Sequence, residues 1–148
     1  MVQAKKRVGF VGRGFGKRLH DSVKELVEVK FILGKETEYD FDLDWVVISS
    51  PNKTHKELVE KFLTNGVNVF CEKPLTLKYE ESLELYSLAE SLGKKLYVDD
   101  VFRYQRDYLN DKEVIAQSKN LKFVWKKYGS FKDTIVRNLT YHDLYLLS

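Results

Sequence analysis

Short apolar runs alternate with amphipathic stretches along the first hundred residues. "KRVGFV" (Lys6 to Val11) predicts a buried strand, and "KRLHDSVKELV" (Lys17 to Val27) predicts a helix with Leu19, Val23, Leu26 and Val27 on one side. "GRGFG" joins the two. "EVKFIL" (Glu28 to Leu33) predicts a second strand, and the polar connection "GKETEYDFDLD", which has no helical face, leads to a third in "WVVIS" (Trp45 to Ser49). In "THKELVEKFLTNG", Thr54 and Glu57 stand at capping-box spacing, Leu58, Val59, Phe62 and Leu63 recur at helical spacing, and Gly66 terminates the run. "VNVFC" is then a fourth strand, Lys78 to Leu92 a long helix closed by Gly93, and "KKLYVD" (Lys94 to Asp99) a fifth strand.

Strands that alternate with helices, and that are apolar without alternation, imply parallel pairing, because parallel strands need crossovers that lay helices on the sheet. The expected fold class is α/β, a doubly wound parallel sheet over residues 1–105, followed by a small α+β appendage over residues 106–148. The appendage reads as a weak helix around "DKEVIAQS", one alternating strand "LKFVWKKY" with Leu121, Phe123 and Trp125 on one face, and an amphipathic tail "TYHDLYLLS". A single strand cannot bury such a face alone, so a homo-oligomer, a dimer completing a sheet between subunits, is expected.

At 148 residues the chain suits one compact unit with a real core. Its apolar runs are far shorter than the eighteen or so residues of a membrane span, and its first residues lack the small-residue pattern of a secretory signal. A soluble, cytoplasmic protein without a membrane partner is expected. A lone cysteine, Cys71, excludes an internal disulfide and a cysteine-cluster metal site, and no metal is expected. The net charge of +3 is spread along the chain, which argues against a nucleic-acid partner.

In a doubly wound sheet ligands collect at the carboxyl ends of the strands, where the strand order reverses. The first turn there is Gly12-Arg13-Gly14-Phe15-Gly16. Gly12 and Gly14 stand where a dinucleotide fingerprint needs a tight turn and then a side-chain-free approach to pyrophosphate at a helix N-terminus. The third glycine, Gly16, comes one residue early. At the end of the second strand Gly34-Lys35 replaces the acid that usually meets the ribose of NAD; Lys35 suits the extra phosphate of NADP, while Glu36 and Glu38 offer contacts to ribose. The cofactor reading is NADP or NAD, with NADP favoured.

"VGFVGRGFGKRLH", "DWVVISSPNKTHKELVEKFLTNGVNVFCEKPLTL" and "YVDDVFRYQRDY" together resemble segments of the Gfo/Idh/MocA family of NAD(P)-dependent oxidoreductases, in that family's order. The "GxxVxxEKP" context, preceded by "SPNxxH", is the most specific part. The resemblance implies a Rossmann domain and hydride transfer at a hydroxyl or carbonyl carbon of a sugar or sugar nucleotide. It implies that Glu72 and Lys73 lie beside the nicotinamide, with Lys73 polarising the substrate oxygen and Pro74 fixing the bend. It further implies that Ser50, Pro51 and Asn52 border the cofactor, with His55 on the first turn of the next helix and Arg103 near the cofactor in "VFRY". In the tail, His142 matches the histidine that takes the substrate proton, and Asp143 follows it.

The chain departs from the family pattern in three places. The second connection lacks the usual helix, Arg106 stands where a proline is common, and the large sheet expected beyond the tail is missing. In addition Asn138 occupies an aspartate slot, removing a charge that would support His142. A strongly shortened member is therefore expected, whose residues 106–148 are a remnant of the substrate and oligomerisation domain. Two functional readings follow: an oxidoreductase using Lys73 and His142, or a non-catalytic nucleotide-binding module or partner subunit.

Overall fold

In the computed structural model, which describes residues 4–12, 14–34, 38–124 and 140–146, the chain divides into two compact units, Met1–Asp99 and Asp100–Ser148. The first holds β1 (Arg7–Val11), α1 (Phe15–Val23), β2 (Glu28–Leu33), β3 (Trp45–Ile48), α2 (His55–Thr64), β4 (Asn68–Glu72), α3 (Tyr79–Ser91) and β5 (Leu96–Asp99). The second holds a 3-10 turn at Val101–Tyr104, α4 (Arg106–Gln117) and α5 (Tyr141–Leu146). No helix among the described residues is long and apolar enough to cross a membrane.

The strands form one all-parallel sheet in the order β2-β1-β3-β4-β5, so the order reverses between β1 and β3. This is the doubly wound sheet that the apolar runs predict. Val46, Ile48, Val69 and Cys71 are buried on one face with Val59, Phe62 and Leu63 of α2 and Leu85 and Ala89 of α3. Register pairs Phe10 with Val47 on the other face, where α1 covers β1 through an edge contact, 5.7 Å between centroids, of His20 on Phe10. Trp45 and Tyr97 stack on that second face at 6.0 Å.

β2 is one of the two edge strands, and it alternates between exposed and half-buried positions instead of running apolar throughout. Its register with β1 shifts between Val8 and Gly9, which brings Phe31 opposite Gly9. A Cβ on Gly9 would lie 2.4 Å from the Phe31 ring. The ring continues into an aromatic group, Phe31 to Tyr39, Tyr39 to Phe62 and Phe41 to Phe62, with centroids 6.3, 5.1 and 5.4 Å apart. Residues 38–44 form no regular element. Their aromatic side chains supply the apolar cover of a missing crossover helix.

At the amino ends of the strands, side chains lace neighbouring segments together. The Arg7 N–H donates to Asp44 Oδ2 at 2.8 Å, Asn68 Nδ2 donates to the Asp44 carbonyl at 2.8 Å, and the Lys95 N–H donates to Asn68 Oδ1 at 2.9 Å. The Arg7 N–H is the main reason the Asp44 carboxyl is held below its ordinary range, with the Arg7 and Lys6 charges adding to it.

Several boundaries differ from expectation. α1 starts directly after Gly14 and stops at Val23, so Leu26 lies beyond it in a turn, 72% exposed, and not on a buried helix face. A 3-10 turn at Asn52–Thr54 precedes α2, so Thr54 has helical backbone and makes no side-chain cap; its hydroxyl donates to the Pro51 carbonyl at 2.8 Å. α4 begins before "DKEVIAQS" and buries no side chain. Residues 121–124 form no regular element, and the rest of the expected strand, Trp125 to Tyr128, lies outside the described residues.

Gly9→Ala is expected to destabilise the fold by about 1–3 kcal/mol through overpacking against Phe31, read from urea denaturation. The double variant with Phe31→Leu should cost less than the sum of the two single changes, because the smaller side chain relieves the clash.

Candidate functional site

The carboxyl ends of β1, β3, β4 and β5 lie along one edge of the sheet, and the first unit gathers its candidate residues there. Gly12 leaves β1 with φ +122°, a conformation glycine adopts without steric cost, and its N–H donates to the Leu33 carbonyl at 2.8 Å. A Cβ on Gly12 would meet Ser49 Oγ at 2.5 Å, and one on Gly16 would meet the same atom at 2.6 Å. Both glycines thus admit the end of β3 against the first turn of α1. This gives the early third glycine its physical reason: Gly16 performs the close helix-to-strand packing of the fingerprint one position ahead of the standard spacing.

Gly14 is different. A Cβ built on it meets no atom within 4 Å, and it immediately precedes α1, whose first N–H groups have no partner within the helix. Arg13 and Lys35 lie outside the described residues, as does the side chain of Phe15.

After β3, Ser50, Pro51 and Asn52 form the turn into α2. Ser50 Oγ and Thr54 Oγ1 are 2.7 Å apart. His55 is fully buried beneath this turn: Nε2 lies 2.8 Å from the Ser50 carbonyl oxygen and Nδ1 lies 2.8 Å from that of Pro74. One ring thereby joins the turn after β3 to the turn after β4, with both nitrogens engaged by backbone.

β4 ends in Glu72, and a cis peptide joins Lys73 to Pro74. Leu75 and Thr76 are buried just beyond, and Thr76 Oγ1 lies 2.7 Å from Ser82 Oγ, which ties the loop to α3. Lys73 is half-buried at the edge. Glu72 pairs in register with Asp99, the last residue of β5. Burial first, then a hydrogen bond with the Asp99 carboxyl and its charge, pushes the Glu72 carboxyl up to about 8, against the opposing backbone N–H and charge of Lys73. Burial also pushes the Cys71 thiol up, as expected of a strand residue facing the core.

Gly12, Gly14, Gly16, Ser50, Pro51, Asn52, Glu72 and Lys73 thus share the carboxyl edge of one sheet. Arg103 and His142 belong to the second unit. Arg103 sits in the 3-10 turn with its N–H 3.1 Å from the Asp100 carbonyl oxygen, and His142 is in α5, its side chain outside the described part. Sequence reasoning missed Ser49 and Asp99. The glycine pair around Ser49 gave no sequence signal, whereas the "YVDD" end of β5, opposite "CEKP", carries an acid beside an acid once the strands are aligned.

A model of the oxidoreductase family with an NAD-binding Rossmann fold, GFO_IDH_MocA, matches residues 21–100. The chain belongs to this Gfo/Idh/MocA family. Among similar proteins are an uncharacterized oxidoreductase of Schizosaccharomyces pombe, 41% identical over 80 residues (54% of this chain, 22% of that protein). Another is the inositol 2-dehydrogenase of Rhodococcus jostii, 39% identical over 77 residues (51% and 21%). Among solved structures, a scyllo-inositol dehydrogenase of Lactobacillus casei aligns at 25% identity and TM-score 0.58 over 79% of this chain and 43% of its own. An NAD-binding protein of Listeria innocua shares the fold, with TM-score 0.73 and 21% identity over 97% of this chain and 54% of its own. The chain spans about a fifth of the length of these curated relatives and about half of the solved chains.

His55→Ala is expected to leave at least one carbonyl oxygen without its donor and to cost about 1–3 kcal/mol, the penalty of one buried group left unsatisfied. Thermal or urea unfolding would read the loss, and an unchanged midpoint would refute the fastening role.

Proposed function

We propose that the protein is an NAD(P)-dependent oxidoreductase that moves hydride between the nicotinamide and a hydroxyl or carbonyl carbon of a polyol, sugar or sugar nucleotide. The observation that supports it most is the open position of Gly14 at the start of α1, on the same sheet edge as Lys73. A side-chain-free approach to a helix N-terminus suits pyrophosphate, so the residues present fit a dinucleotide.

In this reading Gly12, Arg13, Gly14, Phe15 and Gly16 cradle the phosphates, Lys35 meets the adenosine end, and Ser50, Pro51 and Asn52 border the nicotinamide half with Glu72 and Arg103. The bound cofactor supplies the hydride acceptor or donor. Lys73 donates a hydrogen bond to the substrate oxygen and its charge favours the alkoxide character that develops there. His142 takes or returns the proton of that oxygen. His55, with both nitrogens on backbone carbonyls, acts as a fastener for the turns that carry Asn52 and Lys73 rather than as a cofactor contact.

NADP is favoured over NAD by Lys35. A cytoplasmic homodimer whose residues 106–148 correspond to part of the family's substrate domain completes the proposal. A second reading, a nucleotide-binding module without turnover, is favoured by Asn138 in place of the aspartate that would support His142.

Fluorescence titration with NADPH and NADH, followed by turnover assays on polyols and sugar nucleotides, separates the two readings. Saturable binding with turnover supports the enzyme; binding without turnover supports the module; no binding to either nucleotide overturns both. Gly14→Val should weaken nucleotide binding at least about tenfold by filling the approach to pyrophosphate, while unfolding shifts by no more than about 0.5 kcal/mol, as for an open surface position. Lys73→Met should lower kcat on the order of 10²–10³-fold, as for loss of one charge-stabilising donor, with nucleotide affinity retained.

A further inference from the structure

Ser49 is the first residue beyond β3, and it stands where three segments meet. Its N–H and its hydroxyl both donate to the Val11 carbonyl at the end of β1, at 2.8 and 3.3 Å. The hydroxyl oxygen also fills space that two glycines leave open. A Cβ built on Gly16, in the first turn of α1, lies 2.6 Å from Ser49 Oγ. Its next neighbours, Ser49 Cβ and the Val11 carbonyl oxygen, are at 3.9 and 4.0 Å, which is ordinary contact. A single oxygen atom therefore makes Gly16 necessary.

Gly12 is not conditional in this way. Its Cβ position lies 2.5 Å from the same oxygen but also 2.6 Å from the Ser49 carbonyl carbon and oxygen, and its φ of +122° disfavours a side chain in any case. Removing the hydroxyl frees Gly16 and leaves Gly12 as constrained as before. How closely the first turn of α1 approaches β3 thus depends on the side chain at position 49. That approach decides where the N–H groups at the start of α1 stand, beside the open position of Gly14. From Ser49 the chain runs directly into Ser50, whose carbonyl lies against His55, and on through Pro51 to Asn52.

We propose that Ser49 is a positioning residue for the dinucleotide. Its hydroxyl, held on the Val11 carbonyl, is the stop against which Gly16 rests, and it sets the N-terminus of α1 relative to the turn from Ser50 to Asn52. The proposal rests on the reading of this edge as the seat of NAD(P). The pyrophosphate at the helix start and the nicotinamide half along the turn belong to one bound molecule, so a shift of α1 against β3 misplaces one half when the other is seated. The third glycine of the loop is then a requirement of Ser49 and not of the nucleotide: once Ser49→Ala removes the oxygen, Gly16→Ala has room.

The test is a double-variant cycle read by fluorescence titration with NADPH and NADH, at a temperature where circular dichroism shows every variant folded. Gly16→Ala is expected to weaken both nucleotides at least about tenfold, within the coupling found between residues in contact. Ser49→Ala alone, which removes the stop, should weaken them about two- to tenfold, the worth of one neutral hydrogen bond. The double variant should bind as tightly as Ser49→Ala, so that the change at Gly16 costs nothing once the oxygen is gone. Additive losses, or an unchanged affinity in either single variant, overturn the proposal. Losses that appear only in Tm also overturn it, because they mark packing without positioning. Should Gly16→Ala fail to fold, Ser49→Ala carries the test alone: weaker binding with Tm changed by less than about 3 °C supports the proposal, and wild-type affinity overturns it. A wild-type protein that binds neither nucleotide overturns the dinucleotide reading itself, an outcome distinct from wild-type binding without the expected coupling.

Discussion

Parallel hydrogen bonding between β1, β3, β4 and β5 is the constraint on which everything else in the first unit depends. Because each return crossing is made elsewhere, these strands all finish at the same edge, and whatever residue follows each strand is delivered there. The sheet thereby brings Gly12, Ser49, Glu72 and Asp99 into one row although they are spread over most of the first hundred positions. The close contact of Gly12 and Gly16 with Ser49 fixes how near α1 can come to that row.

The two ends of the sheet are built differently. At the amino end, Asp44 and Asn68 spend their polar atoms on neighbouring backbone, and those positions are structural. At the carboxyl end stand a glycine turn, Ser50, Asn52, a lysine and two carboxyl groups, and the fully buried ring of His55 near them faces backbone carbonyls. Buried support beneath an edge is how a fixed scaffold holds the side chains above it at set positions.

The fold was legible because its signals are redundant. Five apolar runs at strand length, separated by a helical period or by a connection without one, leave little choice but a parallel sheet, and the "EKP" context falls at the edge where the candidate residues gather. What was not legible depends on pairing. The bulge that puts Phe31 on Gly9, the reach of Gly16 to Ser49 and the meeting of Glu72 with Asp99 are all register facts, invisible until strands are aligned. Thr54 was misread for a local reason: a preceding 3-10 turn moved the start of the helix, and its hydroxyl turned to Pro51. Leu26 was assigned to a helix that ends at Val23, because helical spacing alone does not show where the backbone turns away.

The amide of Asn68 spans three segments, giving a hydrogen to the carbonyl before β3 and receiving one from the chain entering β5. A planar group with one donor end and one acceptor end meets both neighbours only at a single height, so it acts as a gauge for the relative elevation of β3 and β5. Since strands advance by roughly 3.3 Å per residue, a slip of one residue at that gauge would lift Asp99 past Glu72. The far ends of β4 and β5 are thus levelled from the near ends, through an amide at the opposite edge of the sheet.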